Sequence, residues 1–239
     1  MLSIVIPVHN EELLLEALVT GIQAGLGDFG ESYEIILCEN GSADNTLALA
    51  RQLAASDDRL IVLTSQQASY GAAIRRDILH SRGERIVVFN ADLWDMNFLH
   101  EAYQRLRQYD IVIASKRHPN SHDQRPFNRR LITWGFNMVL RVLFGFTGSD
   151  THGMKAFRRA TIVPVVRRCL TDREIFDTEV ILRAQQVGLT MTELPTIVEE
   201  TRPSRYSTFA RVPRTLKDLW VLYKDLHFTS HPQLDEITE

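Results

Sequence analysis

The sequence predicts an α/β protein built on a mostly parallel, doubly wound sheet with helices on both faces. Three observations carry the prediction. Short runs of β-branched and aliphatic residues alternate with segments of helical periodicity through the first half. Those runs are apolar along their whole length, as strands covered on both faces are. Polar turns such as Asn40-Gly41-Ser42 and Asn90-Ala91-Asp92 follow them.

In order, Leu2–Pro7 reads as a buried strand and Glu11–Leu26 as a helix with apolar residues three and four apart. Tyr33–Cys38 is a second strand. Asp44 is suited to cap a helix over Thr46–Ala55. Leu60–Thr64 is a third strand, Gly71–Ser81 a helix and Arg85–Asn90 a fourth strand. A helix across Phe98–Gln108 leads to a fifth strand, Ile111–Ser115. The second half is less regular. It offers a long, largely apolar helix over Asn128–Phe146 and a strand over Thr151–Phe157 with a glycine inside. Helices over Arg159–Leu170 and Phe176–Val187 precede a strand at Thr190–Val198. Thr201–Phe209 reads as a basic loop, Arg211–His227 as a last helix and Thr229–Glu239 as a frayed tail. With no repeat or Gly/Ser linker, one domain is expected over residues 1–228, with 229–239 a flexible tail.

Composition narrows the function. Hydrophobic residues at 44% and charged residues at 24% exclude a disordered chain. A net charge of -3 excludes a polycationic nucleic-acid binder, so no nucleic-acid partner is expected. The average hides a basic stretch: residues 115–170 hold 11 Lys and Arg against two acids, Asp123 and Asp150. An anionic ligand is expected there. Cys38 and Cys169 are too few and too far apart for a disulfide framework or a structural zinc site. Met1 leads straight into a strand pattern, without the charged and apolar regions of a signal peptide. The most apolar window, Trp134–Phe146, is too short to span a bilayer and contains Arg141. A cytoplasmic protein is expected, in solution or peripheral at the membrane face.

Ligands of an open parallel sheet gather at the carboxyl ends of its strands. Those positions hold Pro7-Val8-His9-Asn10-Glu11, Glu39-Asn40-Gly41-Ser42, Ser69-Tyr70-Gly71, Asn90-Ala91-Asp92 and Lys116-Arg117. Neither a Gly-x-Gly-x-x-Gly turn nor a Walker Gly-Lys-Ser/Thr is present, which removes the main support for dinucleotide oxidoreductases and P-loop ATPases.

Val5-Ile6-Pro7-Val8-His9-Asn10-Glu11-Glu12, Glu39-Asn40-Gly41-Ser42 and Asn90-Ala91-Asp92 resemble, in order and spacing, the motifs of family-2 glycosyltransferases with the GT-A fold. Arg129–Thr133, Ser149–Gly153 and Phe176–Glu179 resemble the polyprenyl-phosphate (dolichol-phosphate) mannose synthase branch. The likeness covers residues 2 to 208. It implies a nucleotide-binding half over 1–117 and an acceptor-binding half over 118–228. It places Pro7, His9, Glu11, Glu39 and Asn40 around the nucleoside, with Asn90 and Ala91 beside them. It also implies a divalent cation, Mg²⁺ or Mn²⁺, held against a nucleotide diphosphate sugar at Asn90 and Asp92. Hard cations take oxygen ligands, and the ion stabilises the leaving diphosphate.

Here the sequence departs from its family. Asn90 and Glu39-Asn40 stand where the family has Asp residues. Were the strand to run on, its period of two would put side chains 90 and 92 on one side, with a single carboxylate between them. Little metal binding by the free chain is expected, and Asn90→Asp is expected to strengthen it. The alternative role for Asp92 is to cap the next helix.

The basic stretch addresses the acceptor. Arg117, Arg129, Thr133, Arg202 and Arg205 fall where the branch gathers groups for the donor diphosphate and the acceptor lipid phosphate, and Arg suits bidentate phosphate recognition. A solvated charged face is the alternative. The helix over Leu131–Phe146 can lie in an anionic membrane interface or belong to the core. A phosphate acceptor is already ionised at neutral pH, whereas a hydroxyl acceptor needs a base. Asp150, Glu179 and His152 are the candidates for that base, or for sugar hydroxyls. The expected activity is inverting transfer of a hexose, from a GDP-mannose or UDP-glucose type donor, to a polyprenyl phosphate. The catalytic set is Asp92, Arg117, Arg129, Asp150 and Glu179. Without C-terminal transmembrane helices, the chain would meet membranes peripherally or through a separate membrane-protein partner. Transfer to a hydroxyl acceptor and nucleotide-sugar binding without catalysis are the rival readings.

Overall fold

The computed structural model describes residues 1–65, 69–173, 175–198 and 208–229. In chain order the elements are β1 (Leu2–Val8), α1 (Leu15–Gly25), β2 (Tyr33–Asn40), α2 (Thr46–Ala54), β3 (Leu60–Ser65) and α3 (Tyr70–His80). Then come β4 (Arg85–Val88), α4 (Met96–Arg105), β5 (Ile111–Ser115), β6 (His122–Asp123), α5 (Phe127–Phe144) and β7 (Lys155–Arg158). The last are α6 (Arg159–Arg168), α7 (Phe176–Gln186), β8 (Met191–Pro195), β9 (Ile197–Val198) and α8 (Thr208–Phe228). Among the described residues, seven strands form one sheet in the order β3-β2-β1-β4-β7-β5-β8, and β6 pairs with β9. Within the large sheet β7 runs antiparallel to β4 and β5, and the other pairings are parallel.

The strand period of two explains why these strands are apolar throughout. Along β1, Leu2, Ile4, Ile6 and Val8 enter one core with Leu15, Leu18 and Leu99. Val5 enters the opposite core with Ile74 of α3, Ile162 of α6, Val180 of α7 and Leu222 of α8. β2 splits the same way, Ile35 and Leu37 to the first core, Ile36 and Cys38 to the second. In β1 Ser3 is the buried polar residue, and it is satisfied. Its Oγ donates to Glu34 at 2.6 Å and accepts from Gly83 N–H at 2.8 Å. A Cβ at Gly83 would lie 2.5 Å from Ser3 N, so this approach requires glycine.

The elements depart from the sequence reading where local geometry overrides periodicity. α1 begins at Leu15 rather than Glu11, because Asn10 takes the left-handed region at φ 55° and residues 11–14 form a turn. β4 stops at Val88, two residues short. Asn90 and Leu93 exchange both backbone hydrogen bonds, each 3.1 Å, and reverse the chain. Ala91 and Asp92 are therefore the central residues of a turn, and the strand-period argument for side chains 90 and 92 does not hold. α4 starts at Met96, capped by Asp95, whose carboxylate accepts from Asn97 N–H at 2.8 Å. The strand expected over Thr151–Phe157 is Lys155–Arg158, set off by Gly153 at φ 122°. The strand expected over Thr190–Val198 divides into β8 and β9. Thr208 and Phe209, expected in a loop, open α8, while Thr201–Ser207 and residues 230–239 lie outside the described residues. Asp44, expected as the N-cap of α2, sits one residue before the N-cap, which is Asn45, and accepts from Thr46 N–H at 3.0 Å. Among the described residues no helix is long and apolar enough to cross a membrane.

Candidate active site

The carboxyl ends of β1 and β2 deliver two loops side by side, and hydrogen bonds sew them together. Asn10 N–H donates to Ser42 Oγ at 3.0 Å, and Asn10 Oδ1 accepts from Ala43 N–H at 2.7 Å. Glu11 N–H donates to Thr46 Oγ1 at 2.8 Å, and Glu12 accepts from Asn45 N–H at 2.9 Å. His9 Nδ1 lies 2.8 Å from the Asn40 carbonyl oxygen. Glu39 and Asn40 are buried. Glu39 accepts from Ser42 N–H at 2.6 Å, and Asn40 Oδ1 accepts from Ser69 N–H at 2.8 Å. Pro7 sits in β1 opposite Cys38. Pro7, His9, Glu11, Glu39 and Asn40 thus share one end of the sheet, with Glu39 and Asn40 shaping the loops.

Beside them stands the Asn90–Leu93 turn, with Ala91 buried and Asp92 exposed. Behind it runs a polar chain the sequence reading missed. The Tyr70 hydroxyl lies 3.4 Å from Asn90 Oδ1 and 3.1 Å from Asp177 Oδ2. Asp177 pairs with Lys155 Nζ at 2.9 Å, and both side chains are buried. Lys155 also donates to the Gly153 carbonyl at 2.9 Å. Burial, then the Asp177 charge, holds the Tyr70 phenol well above its usual range. Among the described residues no group of three or more His, Cys, Asp or Glu is placed to hold a metal ion. The turn itself offers one carboxylate and one amide oxygen, which fits a cation that takes its other ligands from a bound diphosphate.

A second cation, half-buried, is paired with a carboxylate of its own. Lys116 Nζ is 3.6 Å from Asp150 Oδ2, and Asp150 Oδ1 accepts from His152 N–H at 2.9 Å. Burial lowers the Lys116 pKa against the opposing pull of Asp150. Burial and then Lys116 lower that of His152. Lys116 lines a cleft of about 640 Å³ with Arg117, Arg125, Arg130 and Thr133, and with Phe127, Leu131 and Trp134 on its apolar side. Asp123 is the carboxylate there, and it is clasped by Arg125 at 2.8 and 2.7 Å. The Thr133 hydroxyl donates to the Arg129 carbonyl at 3.0 Å. Arg130, not Arg129, lines this cleft. The spacing of a helix puts Arg129 on the stripe of Thr133, Phe136 and Asn137, the side on which Phe136 meets the His152 ring. Arg202 and Arg205 lie outside the described residues.

Glu179 is not brought to this surface. It is fully buried, with its oxygens accepting from Leu170 N–H, Thr171 N–H, Thr171 Oγ1 and Arg183 Nε at 2.5–2.7 Å. Residues two apart on a helix point in opposed directions, so only one carboxylate of Asp177-Thr178-Glu179 can face the site. That carboxylate is Asp177, and helix spacing was the signal available for it.

The fold defines the class first. Glucosyl-3-phosphoglycerate synthase of Mycobacterium tuberculosis, solved with Mn²⁺, UDP-glucose and phosphoglyceric acid, matches with a TM-score of 0.63 at 17% identity, over 95% of this chain and 77% of that one. The architecture is that of GT-A glycosyltransferases. A profile of Glycosyl transferase family 2 matches residues 3–163, and this chain belongs to that family. The resemblance read from the motifs is borne out. Glycosyltransferase AglD of Haloferax volcanii is 33% identical over 204 residues, covering 81% of this chain and 32% of that protein. This chain therefore spans about a third of that relative's length. The dolichyl-phosphate beta-glucosyltransferase of Dictyostelium discoideum is 28% identical over 237 residues, 91% of this chain and 72% of that protein.

Proposed function

We propose that the chain transfers a hexose from a nucleotide diphosphate sugar to a polyprenyl phosphate. The observations that support this best are the run of contacts from the Asn90–Leu93 turn through Tyr70 and Asp177 to Lys155, and the separate Lys116–Asp150 pair beside the cleft. One chain thus has a donor-type turn and a basic cleft with an apolar rim. Pro7, His9 and Glu11 hold the nucleoside beside the sewn loops. Asn90 and Asp92 would hold a divalent cation with the diphosphate, and that cation would stabilise the leaving group. Arg117 and Arg130 receive the acceptor phosphate in the cleft, with Arg129 on the sugar side. Such a monoester is already substantially ionised at neutral pH, so no base is required. Burial of Glu179 and pairing of Asp150 with Lys116 agree with that chemistry. Glucose is the favoured sugar, because the dolichyl-phosphate relative is a glucosyltransferase.

The same reading sets α5 against the membrane that holds the lipid. Phe127, Leu131, Trp134, Met138 and Val142 are exposed and recur along one helical face beside Arg117, Arg130 and Arg141. The test is transfer from UDP-glucose and GDP-mannose with Mn²⁺ to a polyprenyl phosphate and to a panel of hydroxyl acceptors. Transfer of glucose to the lipid phosphate is expected. Transfer to hydroxyl acceptors alone, abolished by Asp150→Asn, would establish Asp150 as a base and overturn the proposal.

A further inference from the structure

The Tyr70 hydroxyl has one proton and two neighbours placed as acceptors, Asp177 Oδ2 at 3.1 Å and Asn90 Oδ1 at 3.4 Å. The carboxylate is nearer and is itself paired with Lys155 at 2.9 Å, so the hydroxyl donates to it. The phenolic oxygen then turns lone pairs toward Asn90, and an amide oxygen facing it would meet lone pair with lone pair. The two ends of a carboxamide are equal in size, and partners decide which way it points. Rotation by half a turn brings Asn90 Nδ2 to Tyr70 and makes the missing bond. An aspartate at position 90 has no donor to offer and would add a second anion within two hydrogen bonds of Asp177.

We propose that Tyr70 is a positioning residue for Asn90. It accepts from Asn90 Nδ2 while donating to Asp177, which turns the amide oxygen away from Tyr70 and leaves it for the cation that accompanies a nucleoside diphosphate. The proposal rests on the reading of the Asn90–Asp92 turn as the donor-diphosphate site. Asn90 is then a member of the chain Lys155, Asp177, Tyr70, Asn90 rather than a weakened family aspartate. The expected effect of Asn90→Asp reverses: the substitution breaks the chain and does not tighten Mn²⁺ binding.

The test compares wild type, Tyr70→Phe, Asn90→Asp and the double variant, by thermal unfolding and by calorimetric titration of UDP and GDP with and without Mn²⁺. The two substitutions remove one shared bond, so their effects on unfolding are expected to be less than additive. Tyr70→Phe is expected to weaken Mn²⁺-dependent nucleotide affinity about threefold to tenfold and to leave metal-free affinity unchanged. Additive effects on unfolding would overturn the proposal, as would tighter Mn²⁺ binding by Asn90→Asp. Equal loss with and without Mn²⁺ in Tyr70→Phe would make its role structural only. Should Tyr70→Phe not fold, Mn²⁺ binding by Asn90→Asp decides: tighter binding overturns, unchanged or weaker binding supports. Wild type that binds nucleotide indifferently to Mn²⁺ also overturns it, with the donor reading intact. Wild type that binds neither nucleotide refutes the donor reading and this proposal together.

Discussion

Replacing Glu179 by Gln separates a carboxylate that does chemistry from one that holds the fold. Four donors converge on its two oxygens: Leu170 N–H and Arg183 Nε on Oε1, Thr171 N–H and Thr171 Oγ1 on Oε2. Gln keeps one oxygen, and with its NH₂ group toward Thr171 the hydroxyl there can turn to accept while Thr171 N–H is left facing a donor. At least one hydrogen bond to a charged group is lost, at about 1.5–3 kcal/mol, and the others lose the charge. The buried ion pair sets the larger figure. Arg183 is 4% exposed and would keep only Asp225, at 2.6 Å, and breaking such a pair costs about 3–5 kcal/mol. Because Arg183 and Asp225 tie α7 to α8, the loss reaches the packing of the last helix. For a chain of this size the midpoint of thermal unfolding should fall on the order of 10 °C. Thermal unfolding followed by tryptophan fluorescence measures the midpoint and urea unfolding the free energy, with nucleoside-diphosphate binding checked well below both transitions. Glu179→Gln that unfolds within about 1 kcal/mol of wild type yet has lost transfer would refute the structural assignment and restore Glu179 as a candidate base.

Three other outcomes are expected. Arg129→Ala should lower transfer to a lipid phosphate roughly tenfold or more with nucleotide affinity unchanged, and Arg130→Ala should do so through the acceptor KM; equal loss of donor affinity would move Arg129 to the donor site. Flotation with anionic vesicles should carry the protein at low salt and release it at high salt, since each basic group near the surface contributes roughly 1 kcal/mol. Leu131→Glu should abolish flotation, and an unchanged bound fraction would remove α5 from the membrane surface. Burial raises the Glu34 pKa, but hydrogen bonds from Ser3 and Arg82 outweigh it, so the folded value lies below the ordinary one. Its stabilisation is present above the unfolded value and is lost as pH falls through the folded one, below about pH 5. Glu34→Gln should flatten stability against pH in that window, and an unflattened curve would show that the pairing carries none of it.

The strand-and-helix order of the first half was legible because both faces of the sheet are covered. Residues such as Ile35 and Ile36 go to opposite cores, so each strand is apolar throughout and stands out between amphipathic helices. What periodicity does not encode is direction and insertion. β7 is four residues long, follows β5 in sequence after a long helix, and enters antiparallel between β4 and β5. Its apolar pattern is the same whichever way it runs. Two of the boundaries that failed, at Asn10 with its left-handed φ and at the Asn90–Leu93 reversal, belong to the site. Sites break local rules where backbone must carry side chains to a ligand.

The site was legible as motifs and opaque as contacts, for a reason seen at Asn90. Read along the chain, an amide where relatives have a carboxylate is a missing ligand. Read in space, its neighbour is Tyr70, 20 residues away, whose other neighbour Asp177 is a further 107 along. The direction of the Tyr70 hydrogen bond is decided there, because Asp177, paired with Lys155 at 2.9 Å, lies nearer the phenol at 3.1 Å than Asn90 does at 3.4 Å. An amide is the side chain that completes such a chain while still presenting an oxygen. The Asn at 90 and the Lys155–Asp177 pair are therefore joined through Tyr70, and a substitution at Lys155 or Asp177 is expected to be felt at the turn.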